Sequence, residues 1–359
     1  MSRTEDNPWL HRFAVLTALA TLTLVGVGGL VTSHGAGMAV PDWPTTYGYN
    51  MFLFPISQWV GGILYEHTHR LTGAAVGLLT IVLTVWLWLK EPRAWLRWLG
   101  VAALLGVVLQ GVLGGLRVVL LKNQLGILHA ALAQLFLVLV CAIALFASRW
   151  WRDPENMPFP AARSRGWRRL VLFTTLLIFG QLILGAAMRH QHAGLAIPDF
   201  PLAYGKLWPT TDAESLARYN QQCVEVNAAN PITALQVVLQ MSHRIAAALV
   251  LGAVALCAWR ARSQPGSRNP LKKLAAVWLV LVLAQVVLGA VTIWSNKAAD
   301  IATLHVVVGA LSLVTGTMLC LIAYQTPDRT CHSAGVPAAI RTLGKPAFTG
   351  APSAIGNPG

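Results

Sequence analysis

The sequence predicts an all-α polytopic membrane protein. Its eight transmembrane helices are expected to form two tandem four-helix bundles, related by pseudo-two-fold symmetry along the membrane normal. Three observations predict this. Of 359 residues, 55% are hydrophobic and only 11% charged, whereas an ordinary soluble domain is roughly a quarter charged. Eight apolar runs approach about 20 residues, the length that crosses hydrocarbon. Polar motifs of the first half also return, in the same order, in the second. The net charge of +14 does not indicate a nucleic-acid partner, because the basic residues fall in short loops between apolar runs.

The first run, about 12–32, lacks a small-residue cleavage site and reads as a retained helix. The loop after it carries "HGAGMAVPDWPTTYG" (34–48). The second run, about 62–89, opens on "YEHTHRLTG" (65–73) and ends on Lys90, Arg93 and Arg97. The third, about 95–117, contains "LQGVLGG" (109–115), and the fourth, about 124–148, contains "LHAALA" (128–133). Arg149, Arg152, Arg163, Arg165, Arg168 and Arg169 follow. The fifth run, about 168–189, leads into "QHAGLAIPDFPLAYG" (191–205). The sixth, about 234–259, opens on "QMSHR" (240–244) and is followed by Arg260, Arg262, Arg268, Lys272 and Lys273. The seventh, about 271–294, contains "AQVVLGA" (284–290), and the eighth, about 299–324, contains "LHVVVGA" (304–310). The three basic loops place both termini in the cytoplasm. The Pro-, Gly-, Ala- and Ser-rich tail, 326–359, is expected to be a disordered cytoplasmic segment.

Residues 1–160 and 161–325 therefore read as two copies of one four-helix unit. Four spans per copy is an even number, so both copies face the same way. Each copy has a histidine near the start of its second helix and another near the start of its fourth: His69 with His129, and His243 with His305. All four lie within about two turns of a helix start on the outer side, hence at similar depth. A single intramembrane histidine is commonly a hydrogen-bond partner between helices. Two facing pairs at matched depth suit haem iron, which takes axial ligands from opposite faces of a flat ring. Zinc would want three or four ligands together. The small residues of "LTGAAVG" and "HAALA" leave room for a planar ligand, or else pack helices closely.

Arg70 and Arg244 directly follow a ligand candidate and suit haem propionates, unless they only snorkel to the interface. Three residues before the histidine stands Glu66 in the first copy and Gln240 in the second. That spacing points Glu66 toward the cavity of His69, with a water-facing interfacial carboxylate as the other reading. Gln240 cannot take a proton, so one site is expected to do chemistry and the other to carry electrons. His67 is expected near the loop and not as a ligand. His34, His190 and His192 lie near the outer interface, either solvated or behind a ligand, and His11 and His332 are expected to be solvated. Gln110 and Gln285 should bond between helices. The "PDWP" and "PDFP" segments read as structural turns first and as lids over the bundles second. The five cysteines form no CxxC pair, so a structural zinc site or disulfide framework is not expected.

In this order, "EHTHR", "LHAA", "SHR" and "LHVVVG" resemble the haem A synthase family over about residues 12–325. The resemblance implies an oxidoreductase acting on a CH group of haem O. The C8 methyl would be oxidised through a hydroxymethyl stage to the formyl group of haem A. It implies a haem b electron-transfer cofactor on His243 and His305, a substrate haem flanked by His69 and His129, and Glu66 as the essential acid. The implied setting is a bacterial-type cell membrane with the haem sites toward the outer face. The implied partners are haem O, membrane lipid, haem O synthase and a second copy of the chain. Some bacterial members carry a cysteine pair in the first and third outer loops. Here the first has none and the third only Cys223, which places the chain in a cysteine-poor branch. The competing readings are a two-haem transmembrane electron carrier without haem-modifying activity, and a transporter built from parallel repeats. Ligands all near one face argue against the first, and paired histidines against the second.

Overall fold

The computed structural model describes residues 7–153, 164–222, 231–263 and 270–325. The tail 326–359, Cys223, Cys331 and His332 lie outside these residues. The long helices are α1 (Pro8–Ser33), α2 (Gly61–Lys90), α3 (Ala94–Val119), α4 (Asn123–Ala147), α5 (Arg165–His190), α6 (Ala234–Arg262), α7 (Pro270–Trp294) and α8 (Ala299–Tyr324). All eight are long and apolar enough to cross a membrane. Among the described residues there is no strand, only isolated bridges in two loops.

Several helices start a few residues outside the apolar run, because capping chemistry and not hydropathy sets the first turn. Asn7 accepts the Leu10 N–H ahead of Pro8, and Ser164 accepts the Trp167 N–H. Thr233 and Gln236 form a reciprocal capping box. One further helix, Ala213–Gln222, escapes a reading of apolar runs because its sequence, "AESLARYNQQ", is polar.

In the first half, α1 packs on α2 and α4, and α3 on α2 and α4. In the second half, α5 packs on α6 and α8, and α7 on α6 and α8. Across the halves, α1 meets α8, α4 meets α5, and α4 meets α8. This neighbour pattern is unchanged when each helix is exchanged for its counterpart in the other half. Half of the most apolar window of α4 and of α8 is buried, against 22–28% in the other six helices, so these two form the centre. Elsewhere, mid-helix side chains such as Leu78, Leu105 and Val280 are exposed. In water this would be a large apolar liability, and in hydrocarbon it costs nothing.

Trp278 of α7 anchors the second half. Its side chain is fully buried and its indole N–H donates to the Ser312 carbonyl at 2.8 Å. Gly316 of α8 permits this: an added Cβ would lie 2.6 Å from the indole and 2.7 Å from the Thr175 hydroxyl. At the basic end, Glu91 is buried and accepts two bonds from the Arg93 guanidinium, at 2.6 and 3.0 Å. Arg93 also donates to the Phe146 carbonyl, which ties α4 to the turn between α2 and α3.

Gly316→Val should force α5, α7 and α8 apart. Overpacking of this kind costs about 1–3 kcal/mol, read as a lowered unfolding midpoint in detergent, with Gly77→Ala on an open face as the unaffected control.

Candidate functional site

Four histidines sit on the even-numbered helices, near the end that carries the two long motif loops: His69 on α2, His129 on α4, His243 on α6 and His305 on α8. The rings of His69 and His129 face each other, with centroids 6.5 Å apart and planes at 84°.

Each ring lies against a bare glycine of a neighbouring helix. An added Cβ would meet His69 at 3.0 Å from Gly28, His129 at 3.4 Å from Gly114, His243 at 3.3 Å from Gly185 and His305 at 3.4 Å from Gly289. Gly28 and Gly185 occupy equivalent places in the repeat, as do Gly114 and Gly289. Sequence reading missed these four glycines. Gly114 and Gly289 stand in the aligned motifs and Gly28 and Gly185 just before them, but only the packing reveals what each one receives.

Among the described residues, no ring nitrogen of the four histidines makes a hydrogen bond, and all four Nδ1 atoms are buried without a partner. Buried polar atoms are normally paired, and an unpaired one costs about 1–3 kcal/mol. The neighbouring polar side chains serve the backbone instead. Gln110 donates to the His129 carbonyl at 3.3 Å and Gln285 to the His305 carbonyl at 2.7 Å, the interhelical bonds expected of them. Gln181 donates to the His243 carbonyl at 3.0 Å. The imidazoles are thus held in place with their nitrogens left for a ligand. His69 and His129 are the residues of the first half that would hold a metal cofactor between them. No group of three or more potential metal ligands converges among the described residues. A pair of neighbouring imidazoles with buried, unpaired nitrogens is a donor set that fits a planar metal cofactor.

Glu66 is 4% exposed. Its carboxylate turns to the motif loop, accepting from the backbone N–H of Ala39 at 2.9 Å and Val40 at 3.4 Å and from Arg70 at 2.9 Å. Gln240 occupies the matching place: it accepts from the Ile197 N–H at 2.7 Å and donates to the Ile197 and Gly194 carbonyls. The shared loop-holding role was not legible from the three-residue spacing. Arg70 donates to the carbonyls of Val40, Asp42 and Thr45. Arg244 donates to those of Asp199 and Leu202. Their terminal nitrogens fasten the loops, a role the sequence did not show.

Each loop closes on itself in the same way. Asp42 accepts from the Tyr47 and Gly48 N–H groups, and Asp199 from those of Tyr204 and Gly205. The Tyr47 and Tyr204 hydroxyls donate to the Ala39 and Ala196 carbonyls. Gly48 and Gly205 have φ of 79° and 73°, the left-handed region that favours glycine. Trp43 packs directly onto Gly115, beside the glycine that receives His129. Trp43 thereby ties the first loop to α3.

His67 is buried within the first loop between Phe54 and Trp59, 3.3 Å from the Thr46 hydroxyl. His34 is exposed and stacks on Tyr65, and His192 is exposed. His190 is half-buried, its ring pressed on Gly126, one turn from His129. His11, expected to be solvated, instead bonds the Ala144 carbonyl at 2.9 Å. Cys141, Cys257 and Cys320 are free thiols. Two arginines passed over in the sequence also reach this region. Arg189 of α5 donates to the Gly29 carbonyl and the Ser33 hydroxyl of α1, and Arg117 of α3 lies under Gly37.

Comparison with known proteins gives one consistent result. A family model described as cytochrome oxidase assembly protein matches residues 11–317. The heme A synthase of Shouchella clausii is 28% identical over 333 residues, covering 90% of this chain and 98% of that protein. That of Geobacillus kaustophilus is 26% identical, covering 92% and 99%. That of Beijerinckia indica is 28% identical, covering 79% and 83%.

The loop latch gives a pH prediction. Burial pushes the Asp42 carboxyl up, but hydrogen bonds from Gly48, Thr45 and Tyr47 outweigh it and hold it below the usual carboxylate range. A depressed folded-state value means the latch is fully present above the ordinary range and is lost as pH falls through the depressed one. Hydrogen exchange at Tyr47 and Gly48, corrected for its intrinsic pH dependence, should accelerate only in that acid window. Asp42→Asn should remove the acid step.

Proposed function

Because the chain belongs to the cytochrome oxidase assembly protein family over residues 11–317, we propose that it is a haem A synthase. It oxidises the C8 methyl of haem O to a formyl group via a hydroxymethyl intermediate. The observation that carries this reading is the pair of repeat-related histidine clamps, each ring on a bare glycine with its nitrogens unpaired.

In this reading residues 1–160 form the N-terminal bundle and hold the substrate haem between His69 and His129. Residues 161–325 form the C-terminal bundle, with His243 and His305 as the ligands of haem b. Haem b, when bound there, supplies one-electron transfer. Conversion of methyl to hydroxymethyl consumes one water and releases two electrons and two protons, conversion of hydroxymethyl to formyl releases two more of each, and the electrons would leave one at a time through haem b to a one-electron acceptor outside this chain. Arg70 and Arg244 act beside the cofactors by fixing the loops that exclude water. The positive-inside rule puts the basic end and both termini in the cytoplasm, so both clamps lie toward the outer face of a bacterial-type cell membrane. The reading also proposes haem O synthase and a second copy of the chain as its partners in the membrane.

Glu66 is the residue that separates the halves. In this reading the carboxylate, held by Arg70 and the first loop, supplies negative charge on the side of the substrate haem, and a fixed charge in a dry site would stabilise positive charge developing on the oxidised methyl carbon. Gln240 holds the second loop without a charge. Glutamine is thus compatible with the loop anchor, and Glu66→Gln removes the charge while keeping the fold.

Two outcomes test the proposal. Haems extracted from the protein made alongside a haem O source should include haem b together with haem O or haem A. Haem b alone would leave only the electron carrier, and no haem would leave the transporter. Glu66→Gln should retain haem and reduce haem A formation at least about a hundredfold, the size of effect seen on removing one preorganised charge-stabilising group. Parent-level product in that variant removes Glu66 from the chemistry.

A further inference from the structure

Arg117 stands apart from every other arginine near the clamps. It lies on α3, three residues beyond Gly114, hence on the same side of the helix and one turn nearer the motif loop. Gly114 is the glycine that receives His129. The Arg117 guanidinium lies flat against Gly37, where an added Cβ would fall 2.7 Å from Nη2 and 2.9 Å from Nη1.

Arg70 and Arg244 bond the protein through both terminal nitrogens, and Arg189 through Nη2, although the Arg244 Nε is also buried without a partner. Arg117 makes no hydrogen bond or ion pair among the described residues, and its Nε is buried without a partner. Glu66 acts on it electrostatically, but the carboxylate's hydrogen bonds already go to Arg70 and the loop amides. A guanidinium carries five donors in a fixed fork. Leaving that fork unused in a half-buried site is costly unless an anionic acceptor completes it.

The second half lacks this group. The position equivalent to Arg117 is Thr292, whose hydroxyl donates to the Leu288 carbonyl of its own helix. Conversely, the position equivalent to Arg189 is Thr32, which bonds the Gly28 carbonyl. Each half therefore has one such arginine, but only the first half's is unengaged.

We infer that Arg117 is the carboxylate anchor of the N-terminal clamp, binding an acidic side arm of the porphyrin held between His69 and His129. The inference rests on the porphyrin reading of that clamp. A fork that bonds nothing in the protein suits a ligand that must arrive and leave, while the second clamp keeps its occupant without one. Bidentate pairing of guanidinium with carboxylate also fixes the rotation of the flat ring about the axis joining the imidazoles. That rotation decides which edge substituent faces Glu66.

The test is a binding titration of the purified full-length chain with iron protoporphyrin IX and with its dimethyl ester, whose carboxylates are blocked. A His305→Ala background restricts high-affinity binding to the first clamp, and the same titration of the intact chain controls for that substitution. The free acid should bind about tenfold or more tightly than the ester, as expected for a charged hydrogen bond. Arg117→Gln should bring the ratio close to one, and Arg117→Lys should keep part of it, as a charge without the fork. Equal affinity for acid and ester in the parent chain overturns the assignment while the porphyrin reading stands, and so does an unchanged ratio in Arg117→Gln. Failure of the parent to bind either form overturns the porphyrin reading, and this assignment with it.

Discussion

A buried imidazole in hydrocarbon must find something for its nitrogens to bind, because no water is there to do it. Among the described residues, the buried Nδ1 atoms of the four histidines near the loop end have no such partner. That single deficit organises the structure around them. Each ring needs a flat, side-chain-free wall, and a glycine on the adjacent helix provides it. Each backbone carrying a ring needs support that does not occupy the ring, and glutamines on neighbouring helices give it to three of the four through the peptide carbonyl. The spacing of α2 from α4 then follows from keeping the two rings 6.5 Å apart.

The motif loops solve a second problem. Irregular backbone near hydrocarbon needs its polar groups satisfied from within. Both loops use the same devices: an aspartate that collects two backbone N–H groups, a tyrosine hydroxyl on an upstream carbonyl, and an arginine from the following helix on further carbonyls. The arginines therefore do their work on protein carbonyls. A loop secured in this way can cover a dry site without supplying groups that compete for the ligand.

Against this shared frame the differences between the halves stand out as chemistry. Glu66 and Gln240 hold equivalent loop amides, but only one carries charge. Arg117 and Arg189 exchange places with threonines that merely bond their own helices. The charged residues that break the repeat gather at the first clamp or, in the case of Arg189, reach from the second half onto α1. The two halves share the glycine-backed histidines and the loop fastenings, and differ in these charges.

Much of this was legible in the chain. Apolar length sets the eight spans, and the polar letters "EHTHR", "LHAA", "SHR" and "LHVVVG" mark the imidazoles, because helix formation and burial are governed by residues close in sequence. What Glu66 bonds, which carbonyls Arg70 takes, that His11 meets Ala144 and that His190 sits on Gly126 were decided only by tertiary structure. The reason is physical. A side chain's partner depends on what another segment brings to it, and Arg117 meets Gly37 across a loop and two helices. Sequence spacing fixes the face on which a residue stands, while the fold alone determines what that face meets.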